Sequence, residues 1–333
     1  MNARTLLGAL ALIVLALLAW ELRWVLLVLF GAVVLAVALD VPITAVRRLL
    51  PLNRPTALAV VLGIVALGGT LLIQQLLPEV IDQVRQLGEL LPQLLLRLEQ
   101  LSRSIDWLPD VQRSLLDGQL LQRLQPLGSQ LLGFAGGAAS STVQLLLMVL
   151  LAILLALDPR SHQKLVVAVT PSFYRPAIQE LLGRCRSALG GWLAGMTLSA
   201  LSVFLLTWAG LAALKIPLAL LSALVCGLLT FVPTIGPTVA TLLPLAIALL
   251  VSPGAVVKVL VLRLALQNLE AFVFTPLLLS HTVNLLPTVA LMAQLSLGAL
   301  LGLPGVLLAL PLVVVLQVIC QQLVVKELMD RWS

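Results

Sequence analysis

The sequence predicts an all-α, polytopic helical membrane protein, and four features of its composition lead to that prediction. Of the 333 residues, 61% are hydrophobic and only 10% are charged, and the mean hydropathy is +1.13. An ordinary soluble domain is roughly 45–50% apolar and about 25% charged. The low aromatic content of 4% favours helices over the aromatic-girdled strands of an outer-membrane barrel. We expect about eight transmembrane helices, with discontinuous or re-entrant segments in the C-terminal half and an extramembrane amphipathic segment.

The N-terminal region, residues 1–77, is predicted to form a transmembrane hairpin and a third span. Apolar runs cover about residues 5–20, 24–39 and 55–77, and Glu21-Leu22-Arg23 would turn the hairpin. Each of the first two runs is slightly shorter than the roughly 20 residues that a span needs, so its polar flanks must sit at the membrane interface. No small-x-small cleavage site follows the first run, which argues against a signal peptide.

Residues 78–138 change character and are predicted to form an extracytoplasmic, amphipathic helical segment. Between residues 78 and 125, seven acidic residues accompany five arginines, and leucines recur at helical spacing. This leucine stripe consists of Leu87, Leu91, Leu94, Leu98 and Leu101. We expect separate helices, broken near Pro92, Pro109 and Pro126, that lie on the membrane surface or pack against partner helices.

The distribution of basic residues predicts the orientation of the chain. The loop near residues 40–55 carries three arginines against one aspartate, and the loop 158–190 carries five basic residues against two acidic ones. Loops rich in lysine and arginine stay in the cytoplasm, so we expect both loops and the N-terminus to face the cytoplasm. Residues 78–138 would face outward, and the net charge of +6 reflects membrane orientation rather than nucleic-acid binding.

Residues 139–333 are predicted to form a C-terminal transmembrane transport core. After one apolar run near residues 140–157, the sequence from about 191 to 325 is apolar and is interrupted mainly by proline and glycine. A plausible division gives spans near 191–213, 217–232, 236–252, 255–276, 284–301 and 305–325. Several are short for a full crossing, which is typical of discontinuous or re-entrant helices. We expect helix breaks at Pro276, Pro287, Gly302, Gly305 and Pro311.

Two features of this core predict a transport pathway, and the first is the proline–glycine cluster Phe231–Thr238. Pro233 and Pro237 flank Thr234 and Gly236, and two prolines remove two backbone donors and break any helix. Carbonyl groups left unpaired within a membrane must be bonded by another segment, by water or by a solute. The cluster is therefore either an element of a solute or ion pathway or a tight turn between two spans.

The second feature is the polar stripe formed by Arg263, Gln267 and Glu270. At 100° per residue these three positions lie on one helix face, with Arg263 and Glu270 about 10 Å apart along the axis. Gln267 could bridge them, or each could have a partner on another helix. Charges inside a membrane are expensive and by default face a cavity or the bundle interior. We interpret the stripe as part of the pathway or its gate, the alternative being a structural role at the interface or between helices.

Signatures of enzymes and of metal sites are missing from the sequence. It has no G-x-x-x-x-G-K-[ST] phosphate loop and no H-E-x-x-H or G-x-S-x-G motif. The three cysteines lie far apart, match no metal or redox spacing and cannot form a cluster with the two histidines. We therefore expect no enzymatic activity, no cofactor, no metal and no nucleic acid, and the expected partners are the lipid bilayer and a small polar solute or ion.

Several stretches of the C-terminal half follow one another over about 120 residues in a characteristic order. They are Gly190-Gly191, Pro217 to Leu221, Phe231 to Pro237, Gln267 to Glu270, Thr275 to Leu278, Leu285 to Pro287, and the glycines and proline from Gly298 to Pro311. With these stretches, the chain resembles the autoinducer-2 exporter family of bacterial membrane permeases. The resemblance implies about eight transmembrane helices, a homo-oligomer and export of a small polar solute. The family commonly has a basic residue directly after the proline that corresponds to Pro276, and this chain has Leu277 there. No ion-coupling role is therefore carried over to that position.

Three hypotheses for the function follow from these features. The first is a secondary permease of the bacterial inner (plasma) membrane that exports a small, autoinducer-2-like solute without ATP hydrolysis. In it Glu270 takes up a proton or cation, Arg263 holds the counter-charge, and the broken helices supply backbone groups to the solute. The second is a monovalent-cation/proton antiporter. The third is a non-transporting oligomeric scaffold, which would have an apolar, closed interior and exposed leucine stripes on its outer helices.

Overall fold

The computed structural model describes residues 14, 17, 18, 20–103, 139–232, 235–274 and 286–322. Their regular structure is helical, and no strand occurs among them. The described α-helices are α1 (Arg23–Leu49), α2 (Arg54–Arg103), α3 (Ala139–Leu157), α4 (Pro159–Val169), α5 (Arg175–Ala213), α6 (Ala219–Leu229), α7 (Ile235–Val251), α8 (Pro253–Leu269) and α9 (Pro287–Ile319). A 3₁₀ turn, Ser172–Tyr174, precedes α5, and a π-helical turn, Glu270–Phe274, follows α8.

Several of these helices are suited to cross a membrane. Within the described ranges, four segments are long and apolar enough: Arg23–Leu49, Arg54–Leu94, Ser172–Ala213 and Pro304–Gln322. The pair α3 and α4 would add a fifth if counted as one span, although its two helices meet at 88°. Leucine and valine side chains lie exposed along these helices, a surface that suits lipid. The predicted class, an all-α polytopic membrane protein, is therefore confirmed, and the number of about eight crossings stays a prediction.

Three further apolar helices are shorter, namely Ala219–Leu229, Gly236–Val251 and Pro287–Gly302. At 1.5 Å per residue, a helix of 10–17 residues is about 15–25 Å long, less than the roughly 30 Å of a hydrocarbon core. All three fall in the C-terminal half, where the sequence predicts short and discontinuous segments.

One of these discontinuities is the break in α9 at Gly302. Its φ of 65° and ψ of −149° lie in a region that glycine alone adopts without strain. A side chain at Gly305 would overlap the backbone carbonyl of Leu297, and one at Gly298 would come within 2.8 Å of Val306. Residues eight apart are about 12 Å apart along a straight helix, so the chain folds back at Gly302 and brings the two halves into close contact.

The other predicted breaks have different outcomes. Pro287 is the first residue of α9, a position where its missing N–H group is not needed. Pro311 lies inside α9, and the helix continues past it, so the predicted break there does not occur. Only one intrahelical hydrogen bond is lost at such a proline, and buried neighbours such as Leu310 and Val314 hold the helix in place. Pro276 lies outside the described residues.

Helix α2 also continues where the sequence predicts an interruption. It is one helix of 50 residues that contains both Pro78 and Pro92. The predicted break near Pro92 is therefore absent, and residue 77 is no helix boundary. Pro109 and Pro126, where two further breaks are predicted, lie outside the described residues.

Tertiary packing explains why α2 tolerates these prolines. Leu87 and Leu90 pack against a buried cluster that includes Leu211, Ile247 and Val259. Leu87 of the leucine stripe and its neighbour Leu90 thus pack, partly buried, against a cluster built from α5, α7 and α8, and fully burying a leucine contributes about 1.5–3 kcal/mol. This packing offsets part of the roughly 3 kcal/mol that each interior proline costs.

The chain forms two compact units, each of which combines segments that are distant in sequence. The first unit comprises Met1–Val61, Ser140–Gly190 and Thr288–Ser333, and the second comprises Leu62–Ala139 and Gly191–Pro287. These boundaries differ from the predicted division into residues 1–77, 78–138 and 139–333, which stays a prediction.

Two helices of these units begin with the same local device. The Asp158 side chain accepts a hydrogen bond from the Ser161 N–H group at 3.2 Å, and Ser252 Oγ accepts one from Ala255 at 3.1 Å. In each case the residue after the cap is a proline, whose fixed φ suits the first helical position.

Residues 158–190, predicted as a loop, contain α4 and the first part of α5.

The first predicted hairpin lies mostly outside the described residues. At its predicted turn, the Leu22 N–H group donates to the Leu18 carbonyl and the Leu26 N–H group to the Leu22 carbonyl, each at 2.9 Å. Both are helical i to i−4 hydrogen bonds. The chain therefore follows a helical path through Glu21-Leu22-Arg23 and does not turn back there.

Candidate functional site

Arg263, the first residue of the predicted polar stripe, is buried on the inner face of α8. It is 2% exposed, and with Ala255 and Val259 it forms a buried row at i, i+4 and i+8 spacing. The remaining surface of α8 includes the exposed apolar side chains Val257, Leu260, Val261 and Leu264. Because such a surface suits lipid, Arg263 lies on the protein side of a helix whose other side faces apolar surroundings.

Two threonine hydroxyl groups hold the guanidinium. Arg263 Nε donates to Thr241 Oγ1 on α7 at 3.3 Å, and Arg263 Nη1 donates to Thr207 Oγ1 on α5 at 3.1 Å. Thr207 is fully buried. Both acceptors are neutral, so the positive charge is retained in the interior with hydroxyl dipoles around it. Burying a charge in this way costs free energy, and a charge that is kept inside a membrane protein usually serves a function.

The same hydrogen bonds join Arg263 to the proline–glycine cluster. Thr241 Oγ1 donates to the backbone carbonyl of Pro237 at 2.8 Å while it accepts from Arg263. A continuous chain of hydrogen bonds thus runs from Pro237 through Thr241 and Arg263 to Thr207. The two features that the sequence singles out therefore form one cluster, although Pro233 and Thr234 lie outside the described residues.

Gly236 permits a close approach of two backbone segments in this cluster. It is buried at the start of α7, and a side chain there would overlap the carbonyl group of Leu229. The Val232 N–H group donates to the Leu229 carbonyl at 2.9 Å, and Gly236 N–H donates to the Val232 carbonyl at 2.8 Å. These two carbonyls are therefore paired with N–H groups of the same segment. The two prolines had led us to expect that carbonyls here would be left without a partner.

Glu270 and Gln267, the other members of the polar stripe, differ in their contacts. Glu270 is half-buried at the start of the π-helical turn, and Ser199 Oγ on α5 donates to its Oε1 at 3.3 Å. Gln267 is also half-buried, but its side chain forms no hydrogen bond with another described residue. The predicted bridge through Gln267 is therefore not formed, and Glu270 uses a partner on another helix. π-helical turns occur frequently at functional sites.

A second pair of polar groups lies between α6 and α7. Pro244 inside α7 has no N–H group, so the Ala240 carbonyl lacks its usual intrahelical donor. Cys226 Sγ fills that role at 3.4 Å. Both Cys226 and Ala240 are buried and pack with Val203. The thiol therefore donates a hydrogen bond besides packing as a small buried group.

The start of α6 depends on a residue from α2. Leu218, which precedes α6, has a φ of 56° and no side chain able to cap the helix. Gln83 Oε1 on α2 accepts a hydrogen bond from the Leu221 N–H group at 2.8 Å. This amide thus caps α6 from another helix, and it fixes the helix that leads into the proline–glycine cluster.

No metal site accompanies these groups. Among the described residues, no three histidine, cysteine, aspartate or glutamate side chains are grouped so that they could hold a metal ion. The chemistry available in the cluster is that of hydroxyl groups, one carboxylate and one guanidinium. Such groups can bind polar solutes and exchange protons.

A comparison with known families identifies the chain. The model of the group described as AI-2E family transporter matches residues 9–325, a range that contains the whole polar cluster. The chain belongs to the AI-2E transporter family. This agrees with the resemblance seen in the C-terminal half, and the match extends to the N-terminal spans.

Three bacterial proteins align with parts of this AI-2E family chain. "Putative transport protein YrrI" of Bacillus subtilis (strain 168) is 27% identical over 161 residues, 48% of this chain and 46% of the relative. "Putative transport protein MT0215" of Mycobacterium tuberculosis (strain CDC 1551 / Oshkosh) is 32% identical over 155 residues, 46% and 42% of the two chains. "Putative transport protein YueF" of Bacillus subtilis (strain 168) is 21% identical over 160 residues, 48% and 43%. The chain thus spans less than half the length of each curated relative that it matches.

Five residues of the second unit that the structure brings into the site are not predicted from the sequence of this AI-2E family member. They are Gln83, Ser199, Thr207, Cys226 and Thr241. One signal was available, since Ser199 and Thr207 lie eight residues apart and therefore on one face of α5. Their partners are Glu270 in the π-helical turn and Arg263 on α8, and sequence spacing alone does not show which helices pack together.

Proposed function

We propose that this protein is a secondary permease that moves a small polar solute across the bacterial plasma membrane without ATP hydrolysis. The observation that carries the proposal is Arg263, a guanidinium that is buried between apolar helices and held by two threonine hydroxyl groups. Burying a charge costs desolvation free energy that an apolar residue of similar size would not. Keeping such a charge therefore argues for a use, and membership of a transporter family gives that use a class.

In this proposal the second unit supplies the pathway. Glu270 takes up a proton or a cation, and Arg263 provides the counter-charge for the site. The first turn of α7, with Gly236 and Pro237, and the π-helical turn let the helices shift. We further propose a multi-pass homo-oligomer with a cytoplasmic N-terminus that exports its cargo, a small polar compound of the autoinducer-2 type.

A second candidate is exchange of a monovalent cation for protons. The half-buried carboxyl group of Glu270 favours it, because this group accepts a hydrogen bond from Ser199 and lies at an irregular turn of the helix. A carboxyl group in that setting suits proton uptake coupled to cation release.

The packing argues against a non-transporting scaffold. Such a protein is expected to have an apolar interior and exposed leucine stripes. Here the interior of the second unit contains Arg263 and Thr207, and Leu87 packs against its core.

Flux measurements with the purified full chain in liposomes would test the proposal. We expect Glu270→Gln and Arg263→Leu to lower substrate-dependent flux about tenfold or more, which corresponds to losing one hydrogen bond to a charged group. Lys258→Leu is a matched control, because Lys258 is exposed on the same helix as Arg263. Unchanged flux in both site variants would overturn the assigned roles.

The driving ion separates the two candidates. Vesicles are given a proton gradient, with autoinducer-2 as the first cargo, or a sodium gradient without any cargo. Cargo flux that follows the proton gradient supports the permease. Proton movement driven by the sodium gradient alone supports the antiporter, and no flux in either arm contradicts both.

A further inference from the structure

The first unit contains an apolar cavity that the polar cluster of the second unit does not involve. Its volume is about 400 Å³, within the roughly 300–1,000 Å³ typical of small-molecule sites. Its walls come from α1, α3, α4, α5 and α9 and include Phe30, Val33, Leu155, Val166, Leu189 and Val315. Side chains of this kind suit a hydrocarbon chain and offer little to a polar solute.

The carboxylate and the two guanidinium groups in the wall of this cavity bind one another. Arg54 donates to Asp40 Oδ1 at 2.6 Å, and Arg186 binds the other oxygen of the same carboxylate. Arg54 Nε also donates to the backbone carbonyl of Ala156 at 2.8 Å. Asp40 thus holds both guanidinium groups, and their donors are used within the wall, although one positive charge is left in excess.

A second cavity, of about 540 Å³, has the opposite character. We call it the basic basin, and it is lined by Arg160, Gln163, Lys164, Val167, Ala168, Arg175, Gln179 and Leu182. Three of these side chains are cationic, and none of the described lining residues is acidic. An anion in the basin would therefore meet positive charge without a competing carboxylate in its wall.

The apolar cavity and the basic basin adjoin. Gln163 of α4 and Leu182 of α5 line both of them. Helix α4 leaves the apolar helix α3 at 88°, so if α3 crosses the membrane, α4 lies in the plane of the membrane surface. Arg160 and Lys164 of α4 would then stand at the level of the lipid head groups.

We propose that the first unit binds one anionic phospholipid, with an acyl chain in the apolar cavity and its phosphate in the basic basin. The adjoining apolar and cationic spaces match the two ends of such a lipid. Basic pockets between helices at the membrane surface bind anionic head groups in other membrane proteins. A free polar solute would fill only the basin, and a zwitterionic phospholipid would bring an ammonium group that opposes the three cations.

Lipid binding to the full chain in detergent, followed by native mass spectrometry, tests this assignment. Dioleoyl phosphatidylglycerol is compared with dioleoyl phosphatidylcholine, oleate and inorganic phosphate. We expect preferential retention of phosphatidylglycerol. Equal retention of phosphatidylcholine would overturn the role of the basin, and displacement of phosphatidylglycerol by equal amounts of oleate or phosphate would overturn the phospholipid assignment.

Matched variants separate the two spaces. Arg160→Gln with Lys164→Gln should weaken phosphatidylglycerol binding about 30-fold, at roughly fivefold for each basic residue near the surface. Arg47→Gln with Arg48→Gln, which changes an exposed basic pair outside both cavities, should change it less than twofold. Equal losses in the two pairs would show that only overall charge matters and would overturn the site. Lys164→Gln alone, expected to weaken binding about fivefold, decides the question if the double variant does not fold.

The acyl-chain end has its own control. Val33→Trp narrows the apolar cavity and should weaken retention of both phospholipids, whereas Val25→Trp, at an exposed position of α1 outside the cavity, should not. Retention unchanged in Val33→Trp would contradict the placement of the chain. Glu270→Gln, which affects the proposed transport site, should leave lipid binding intact, so the two proposals fail separately.

Discussion

Replacing Thr207 by valine should destabilise the protein more than removing Arg263, the residue that it binds. Valine has nearly the shape of threonine but cannot accept the hydrogen bond that Arg263 Nη1 makes at 3.1 Å. Thr207 is fully buried, so water does not replace the lost acceptor. A buried donor left unpaired costs about 1–3 kcal/mol, and more when the group is charged. We therefore expect Thr207→Val to lose about 2–3 kcal/mol of stability.

Arg263→Leu removes the guanidinium together with the energy needed to bury it. Thr241 keeps its hydrogen bond to the Pro237 carbonyl at 2.8 Å, so that hydroxyl group stays paired as a donor. The removed burial penalty offsets the two hydrogen bonds to neutral hydroxyl groups that are lost, and we expect a change within about 1 kcal/mol. In the double variant the valine no longer leaves a charge unpaired. The two substitutions should therefore couple by about 2 kcal/mol.

Thermal unfolding of the full chain in detergent micelles would measure these changes. For a domain of 150–250 residues, 1 kcal/mol shifts the Tm by roughly 2–4 °C, so Thr207→Val should lower it by several degrees and Arg263→Leu by little. Thr197→Val, at an exposed position of α5, controls for the substitution itself. The reasoning is refuted if Arg263→Leu is the more damaging change, or if the double variant loses the sum of the two.

Three further predictions concern single contacts. Cys226→Ala should lower the free energy of unfolding by about 1 kcal/mol, because the Ala240 carbonyl is left without a donor. Cys226→Ser keeps a donor, and a stronger one, so it should retain the wild-type Tm. Equal losses in the two variants would contradict this role of the thiol. Gln83→Leu removes the cap of α6 and should speed hydrogen exchange at the Leu221 amide about fivefold, whereas Gln83→Glu should keep its protection; unchanged exchange in the leucine variant would argue against the cap. Gly302→Ala should lose about 1–3 kcal/mol through backbone strain alone, since open space surrounds the added methyl group, and an unchanged Tm would show that the fold-back relaxes easily.

The sequence predicts some of this architecture because certain residues are stable in only a few environments or backbone conformations. A charged residue in an apolar run must turn inward, and Arg263 does. Glycine between two apolar segments predicts a break, and Gly302 provides one in a conformation that other residues avoid. These are constraints on one residue and its neighbours along the chain, so a pattern is enough to find them.

Contacts between distant segments account for what the sequence does not predict. Pro92 predicts a broken helix on local grounds, but α2 continues past it. Its residues Leu87 and Leu90 pack against a cluster that includes Leu211 and Val259, more than a hundred residues away. The sequence also does not show that the hydroxyl groups of Thr207 and Thr241 bind Arg263, because threonine is tolerated on a lipid-facing surface as well as inside. Their roles depend on which helices are neighbours, and that information is tertiary.

The fold-back at Gly302 limits what a C-terminal topology reporter can reveal. A chain that reverses at this glycine returns to the membrane face from which it came, whether the two halves of α9 cross the bilayer or only dip into it. A tag after residue 322 would give the same result in both cases. Labelling from one side with a membrane-impermeant thiol reagent distinguishes them, using a cysteine at Pro304, which is exposed beside the turn. A crossing hairpin presents that position to the opposite compartment, and a re-entrant one keeps it within the bilayer.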